Sequence, residues 1–103
     1  MSFPARLQIE ADIRAALHAV IDPELGFNIV DLGMVYAIGV DDEGAAAIVM
    51  TTTTRFCPAS GLLQDAVTKR AGAVPGVTAV TVELCYDPPW GPEMMSPEVS
   101  AQF

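Results

Sequence analysis

The sequence predicts an α+β fold, a small two-layer sandwich of αββαβ order with both helices on one face of a short mixed sheet. Three observations predict it. Apolar residues recur at helical spacing in two separate segments, three other segments are β-rich, and turn residues separate all five. At 103 residues the chain forms one domain around a single core. Apolar residues make up 51% of it and charged residues 17%, a composition rich in core formers.

From Leu7 to Val20, residues Ile9, Ile13, Ala16, Leu17 and Val20 keep to one helical face, while Glu10, Asp12 and Arg14 take the other. This helix ends before "DPELGFN", where Pro23 disfavours helix at Asp22 and Gly26 marks a turn. The runs "MVYAIGV" and "AAAIVMTTT" flank "DDEG" and predict a hairpin with strands Met34–Val40 and Ala45–Thr53. Its tip, Asp41, Asp42 and Glu43, reads as a solvated acidic turn. A second helix starting at Pro58 carries the stripe Leu62, Leu63, Ala66 and Val67, and is closed by Gly72, Pro75 and Gly76. "VTAVTVEL" alternates as a half-buried strand does, giving a third strand from about Val77 to Tyr86. From about Asp87 onward fall four of the eight prolines, which predict an extended loop and a last short turn.

Thirteen acidic against five basic side chains give a net charge of −8. Such a surface repels nucleic acid and anionic lipid, so neither is expected as a partner. No apolar run approaches the roughly 18 residues of a membrane helix. The start "MSFPARLQIEAD" lacks a basic segment followed by a long apolar one, so a cytoplasmic location is expected. Cys57 and Cys85 form no CxxC and His18 is the single histidine. Sulfur and imidazole alone therefore cannot complete a zinc site, and a structural disulfide is a poor reading for a chain of this kind.

Cys57 stands where a threonine-rich strand gives way to a helix. Pro58 suits the first helical position, which makes Cys57 the N-cap, with free amides and the helix dipole favouring its thiolate. Thr51 and Thr53 on one face, with Thr52 and Thr54 on the other, would line a polar floor, and Arg55 adds positive charge. The alternative is that Cys57 packs as a small hydrophobe. Cys85, between Leu84 and Tyr86, reads as a core side chain, and His18 as a surface or helix-end histidine. Asp22, Glu24, Asp31 and Asp87 all sit at chain reversals, where acidic residues cap backbone amides. Converging on the Cys57 end of the sheet, they would instead form an acidic pocket suited to a cation.

Three segments together, "VIDPELGFNIVDLGMVY", "TTTTRFCP" and "VELCYDPPWGPEMMS", resemble the metal-sulfur cluster biosynthesis family, also called domain-of-unknown-function family 59, which includes SufT and PaaD-like proteins. The likeness runs from about Ile9 to Ser96 and implies a domain of the iron-sulfur cluster assembly type. It also implies a role in assembling iron-sulfur clusters or delivering them to recipient apo-enzymes. The family's characteristic cysteine falls on Cys57, its acidic turn residues on Asp22, Glu24 and Asp31, and its later elements on Asp87 to Trp90 and on Met95 and Ser96. Phe56 stands where glycine is common and would narrow the approach to the sulfur. The chain lacks the cysteine-rich C-terminal segment of PaaD-like members, so a stand-alone assembly factor is the closer likeness.

On this basis the expected function is that of an accessory factor, not an enzyme. Cys57 would bind iron or a labile iron-sulfur cluster as ligand or transfer handle, with Thr51, Thr53, Asp22, Glu24, Asp31 and Asp87 around it. One thiolate per chain leaves the usual cysteine shell incomplete, so a homodimer, a partner's cysteines or a small thiol would supply the rest. The alternative is a non-metal adaptor that docks assembly proteins or a recipient enzyme through "PPWGPEMM", with Trp90, Met94 and Met95 as anchors. The other reading of Trp90 is that it closes over the core. A cysteine-dependent enzyme lacks an evident base for its thiol.

Overall fold

The computed structural model describes every residue except 56. Helix α1 spans Phe3–Leu17. It starts one turn before the predicted Leu7 because Ser2 caps it, its Oγ accepting the Ala5 N–H at 3.2 Å, with Pro4 in the first turn. It stops at Leu17 and not Val20, since the Ala19 and Val20 amides turn to the carbonyls of Ala16 and Leu17. The predicted stripe is the buried face, with Ile9, Ile13 and Leu17 inside.

Strands β1 (Val35–Val40) and β2 (Ala45–Met50) pair antiparallel. The turn between them is held by Asp41, whose Oδ1 accepts the N–H groups of Glu43 and Ala45, both at 2.9 Å. Helix α2 (Ser60–Gly72) carries the chain across to β3 (Ala79–Leu84), which lies parallel to β2 in the register Ala45↔Ala79 through Met50↔Leu84. The sheet is therefore mixed, in the order β1-β2-β3, and β2 is central. Ala46, Ile48 and Met50 of β2 join Ile9, Ile13 and Leu17 of α1 and Leu63, Val67 and Ala71 of α2 in one core. Two helices and three strands thus adopt the predicted αββαβ arrangement.

Both strand ends fall short of the predicted ones. Beyond Met50 and Leu84 single backbone bonds continue the ladder, Thr51 N–H to the Met34 carbonyl and Cys85 N–H to the Met50 carbonyl, each 2.8 Å. The threonine hydroxyls that follow turn to neighbouring main chain, an alternative to regular sheet. Cys85 consequently lies past β3, half-buried and outside the core, with its thiol donating to the Asp87 carbonyl at 3.3 Å. The expectation of a core cysteine there is corrected.

A register shift between Val35 and Ala37 makes Tyr36 the extra residue of a bulge. Its hydroxyl reaches the Pro88 carbonyl at 2.7 Å and the Met94 sulfur at 3.6 Å. The C-terminal segment is more regular than its prolines suggest, with a 3-10 turn at Pro92–Met94 and a short helix α3 at Pro97–Ser100, which Ser96 caps. It is fastened to the loop before β1: Trp90 Nε1 donates to the Leu32 carbonyl and Ser96 N–H to the Asp31 carbonyl, both 2.7 Å. Trp90 and Met95 pack on the core and Val99 is part of it. Among the described residues no helix is long and apolar enough to cross a membrane.

Candidate functional site

Cys57 lies in the connection between β2 and α2. It is not the N-cap of α2. That position belongs to Ala59, which offers no capping side chain, and the Cys57 carbonyl instead closes a turn by accepting the Ser60 N–H at 3.1 Å. Only 5% of Cys57 is exposed, and its Sγ–H donates to Glu24 Oε1 at 3.2 Å. Burial pushes the thiol pKa up, the Ala59 backbone N–H pulls it down, and the negative charges of Glu24 and Asp22 push it up again. The resting group is a thiol, where the helix N-terminus alone would have favoured a thiolate.

Glu24 reaches the sulfur because Asp22 shapes the loop that carries it. Asp22 is 1% exposed, and its Oδ1 accepts the Glu24 N–H at 2.7 Å and the Leu25 N–H at 3.3 Å. Its main chain closes the same loop, with its N–H on the Phe27 carbonyl at 2.9 Å and its carbonyl taking the Gly26 N–H at 2.8 Å. Gly26 turns the chain there at φ +78°. Asp22 is thus the capping residue that the sequence predicts, and it adds negative potential at the thiol.

The threonine floor forms differently from the expectation. Thr51 is fully buried with its hydroxyl on the Thr52 carbonyl at 3.3 Å, and Thr53 is half-buried. Thr52, on the other face of the expected floor, is 1% exposed and lies 2.8 Å from the Tyr86 hydroxyl. The guanidinium of Arg55 stands 5.0 Å from the centre of the Tyr86 ring. Tyr86 arrives there through the sheet register, which the sequence pattern alone does not fix: two steps past Met50 is Thr52, and two steps past its partner Leu84 is Tyr86.

Asp31 and Asp87 are occupied elsewhere. The Asp31 carboxylate accepts Asn28 Nδ2 at 2.9 Å and pairs with His18 Nε2 at 3.7 Å, while Asn28 Oδ1 accepts the Asp31 N–H at 2.9 Å. His18 also meets the Arg14 carbonyl at 3.0 Å, as a helix-end histidine does. Asp87 is exposed, and its carbonyl is the part that takes a partner, Cys85. The four acidic turns therefore do not converge into one pocket: among the described residues no three His, Cys, Asp or Glu side chains are grouped to hold a metal ion. What the loops do bring together is one thiol and one carboxylate. Phe56, expected to narrow the approach to the sulfur, lies outside the described residues.

The arrangement offers a cation two donors of different hardness once the thiol proton is lost, and leaves the remaining positions to groups from outside the chain. Comparison with known proteins places the chain in a family. The family model described as iron-sulfur cluster assembly protein matches residues 10–84. An Fe-S protein maturation auxiliary factor of Porphyromonas gingivalis is 38% identical over 97 residues, which cover 94% of this chain and 92% of that protein. The Fe-S protein maturation auxiliary factor SufT of Staphylococcus aureus is 43% identical over 77 residues, 75% of this chain and 88% of that protein. The crystal structure of a domain of unknown function, DUF59, from Bacillus anthracis superposes with a TM-score of 0.93 at 37% identity, covering 98% of this chain and 96% of that one.

Proposed function

This chain belongs to the iron-sulfur cluster assembly protein family, and from that premise we propose that it is an accessory factor that assembles iron-sulfur clusters or delivers them to recipient apo-proteins. Cys57 is the handle, a ligand to iron or to a labile cluster in transit. The observation that carries this reading is the contact of Cys57 Sγ with Glu24 Oε1 at 3.2 Å. A metal ion arriving there takes the place of the shared proton and finds a carboxylate oxygen beside the sulfur. The cargo is held weakly, because one thiolate falls short of the four-cysteine shell usual for a cluster. A second copy of the chain, a partner's cysteines or a small thiol supplies further ligands, and a recipient that offers a fuller shell draws the cargo away. Its acidic surface disfavours nucleic acid and anionic membrane and leaves proteins as the partners, and a cytoplasmic setting goes with this reading.

Anaerobic reconstitution with iron and sulfide tests the reading. Wild-type protein is expected to bind iron with charge-transfer absorption in the visible, and Cys57→Ala to lose both while remaining folded. Equal iron content and absorption in the two proteins would overturn the role of Cys57. If both stay iron-free, the reading that remains is an adaptor that docks the assembly machinery.

A further inference from the structure

Cys57 is buried, yet a handle has to be uncovered to work. In the segment Thr52–Arg55, which precedes it in the chain, two residues meet one side chain, that of Tyr86, and a third, Thr54, is bonded to Thr52. Thr52 has a single hydroxyl proton, which it donates to the Thr54 carbonyl at 2.6 Å. The 2.8 Å contact of the same oxygen with the Tyr86 hydroxyl must then run the other way, with Tyr86 donating. Tyr86 thus starts a two-bond chain, Tyr86 to Thr52 to Thr54, in which each bond polarises the next. Its ring meanwhile carries the Arg55 guanidinium at 5.0 Å. The parallel pairing of β2 and β3 delivers Tyr86 to this place, so the clamp is anchored in the sheet.

We propose that Tyr86 is a positioning residue that fastens the Thr52–Arg55 segment to the end of β3 and thereby sets how often Cys57 is uncovered. The clamp holds the loop at two points of different character. The hydroxyl chain is buried at Thr52, whereas the Arg55 stack is exposed and open to competition. A partner that offers a carboxylate to Arg55 weakens the outer point first and leaves the inner one to hold the sheet end. The purpose of the clamp rests on Cys57 being the handle proposed above, but its existence does not.

The test is the rate at which iodoacetamide alkylates Cys57 in the metal-free protein, read separately for Cys57 and Cys85 by peptide mass spectrometry. Tyr86→Phe keeps the ring and removes the donor, and Thr52→Val removes the acceptor. Both are expected to raise the Cys57 rate about five- to tenfold, the equivalent of one hydrogen bond removed from the closed state. Thr52→Ser, which restores the hydroxyl, is expected to react at the wild-type rate, and Arg55→Lys to stay closer to wild type than Arg55→Ala. Unchanged Cys57 rates in folded Tyr86→Phe and Thr52→Val would overturn the clamp. So would a rise matched by equal gains in core amide exchange, which marks general loosening. Because no iron is involved, these rates hold or fail independently of the reconstitution result.

Discussion

Cys57 and Glu24 form a pair in which each determines what the other can do. With its sulfur buried and facing a carboxylate, Cys57 keeps its proton at a pH where an exposed thiol has begun to lose it. The sign for stability follows. Below about pH 8.5, the ordinary thiol value, folded and unfolded chains both hold the proton and the contribution is complete. As pH rises further the unfolded chain deprotonates first, so stability falls until the raised folded value is passed. Denaturant midpoints across that range are expected to drop more for wild type than for Cys57→Ala, and parallel slopes would show that the thiol is not perturbed. Glu24→Gln removes a charge that opposes the thiolate, so alkylation of Cys57 at a fixed alkaline pH is expected to speed up by about threefold or more. A slower reaction in that variant would mean that the carboxylate acts as a base toward the sulfur and not as a repelling charge. At this scale Cys57, Asp22 and Glu24 were legible because their residue types carry chemistry at a turn. Their electrostatics were not, since the burial of the sulfur and the approach of Glu24 from a distant loop depend on tertiary closure.

At the scale of elements, the loop before β1 and the C-terminal segment behave as one unit. Trp90 and Ser96 each place a hydrogen bond between them, and Tyr36 at the start of β1 adds a third to the same segment. Gly33 is the point of closest approach: it sits at φ +78°, and a Cβ there would run into the main chain of Met94. Gly33→Ala is expected to cost about 1 to 2 kcal/mol for the backbone conformation alone, and more because Met94 must be pushed out of its place. A lowered melting temperature with new proteolytic cleavage beyond residue 87 is the outcome to look for. A fall in melting temperature without that cleavage would place the damage in the Gly33 turn and leave the C-terminal segment docked. The αββαβ order was readable because Ile9, Ile13 and Leu17, and later Leu63 and Val67, repeat at helical spacing around β-rich runs. The short helix at Pro97–Ser100 was legible only as a last short turn, because a single turn has no apolar period to detect; a capping serine with a first-turn proline, as at Ser2 and Pro4 of α1, is the pattern that marks it.

For the molecule as a whole, the dominant fact is a net charge of −8 spread over 103 residues. Arginine and lysine neutralise few of the carboxylates: among the described residues Asp42 pairs with Arg6 at 3.4 Å. The remaining charges repel one another in the folded state more than in the expanded chain, and salt relieves this as the Debye length shrinks from about 30 Å at 0.01 M to about 8 Å at 0.15 M. Sodium chloride over that range is therefore expected to raise the urea midpoint, with little further gain once screening is complete. The same field acts in the opposite sense on the iron cargo proposed above. A divalent cation is attracted by the net negative charge, which salt screens, so retention of ferrous ion by the reduced protein is expected to weaken over the range in which stability grows. Two measurements on one protein thus move in opposite directions if long-range charge governs both. Iron retention that is indifferent to salt would mean that the contacts at Cys57 and Glu24 hold the ion by themselves, with the acidic surface serving solubility and the exclusion of anionic partners.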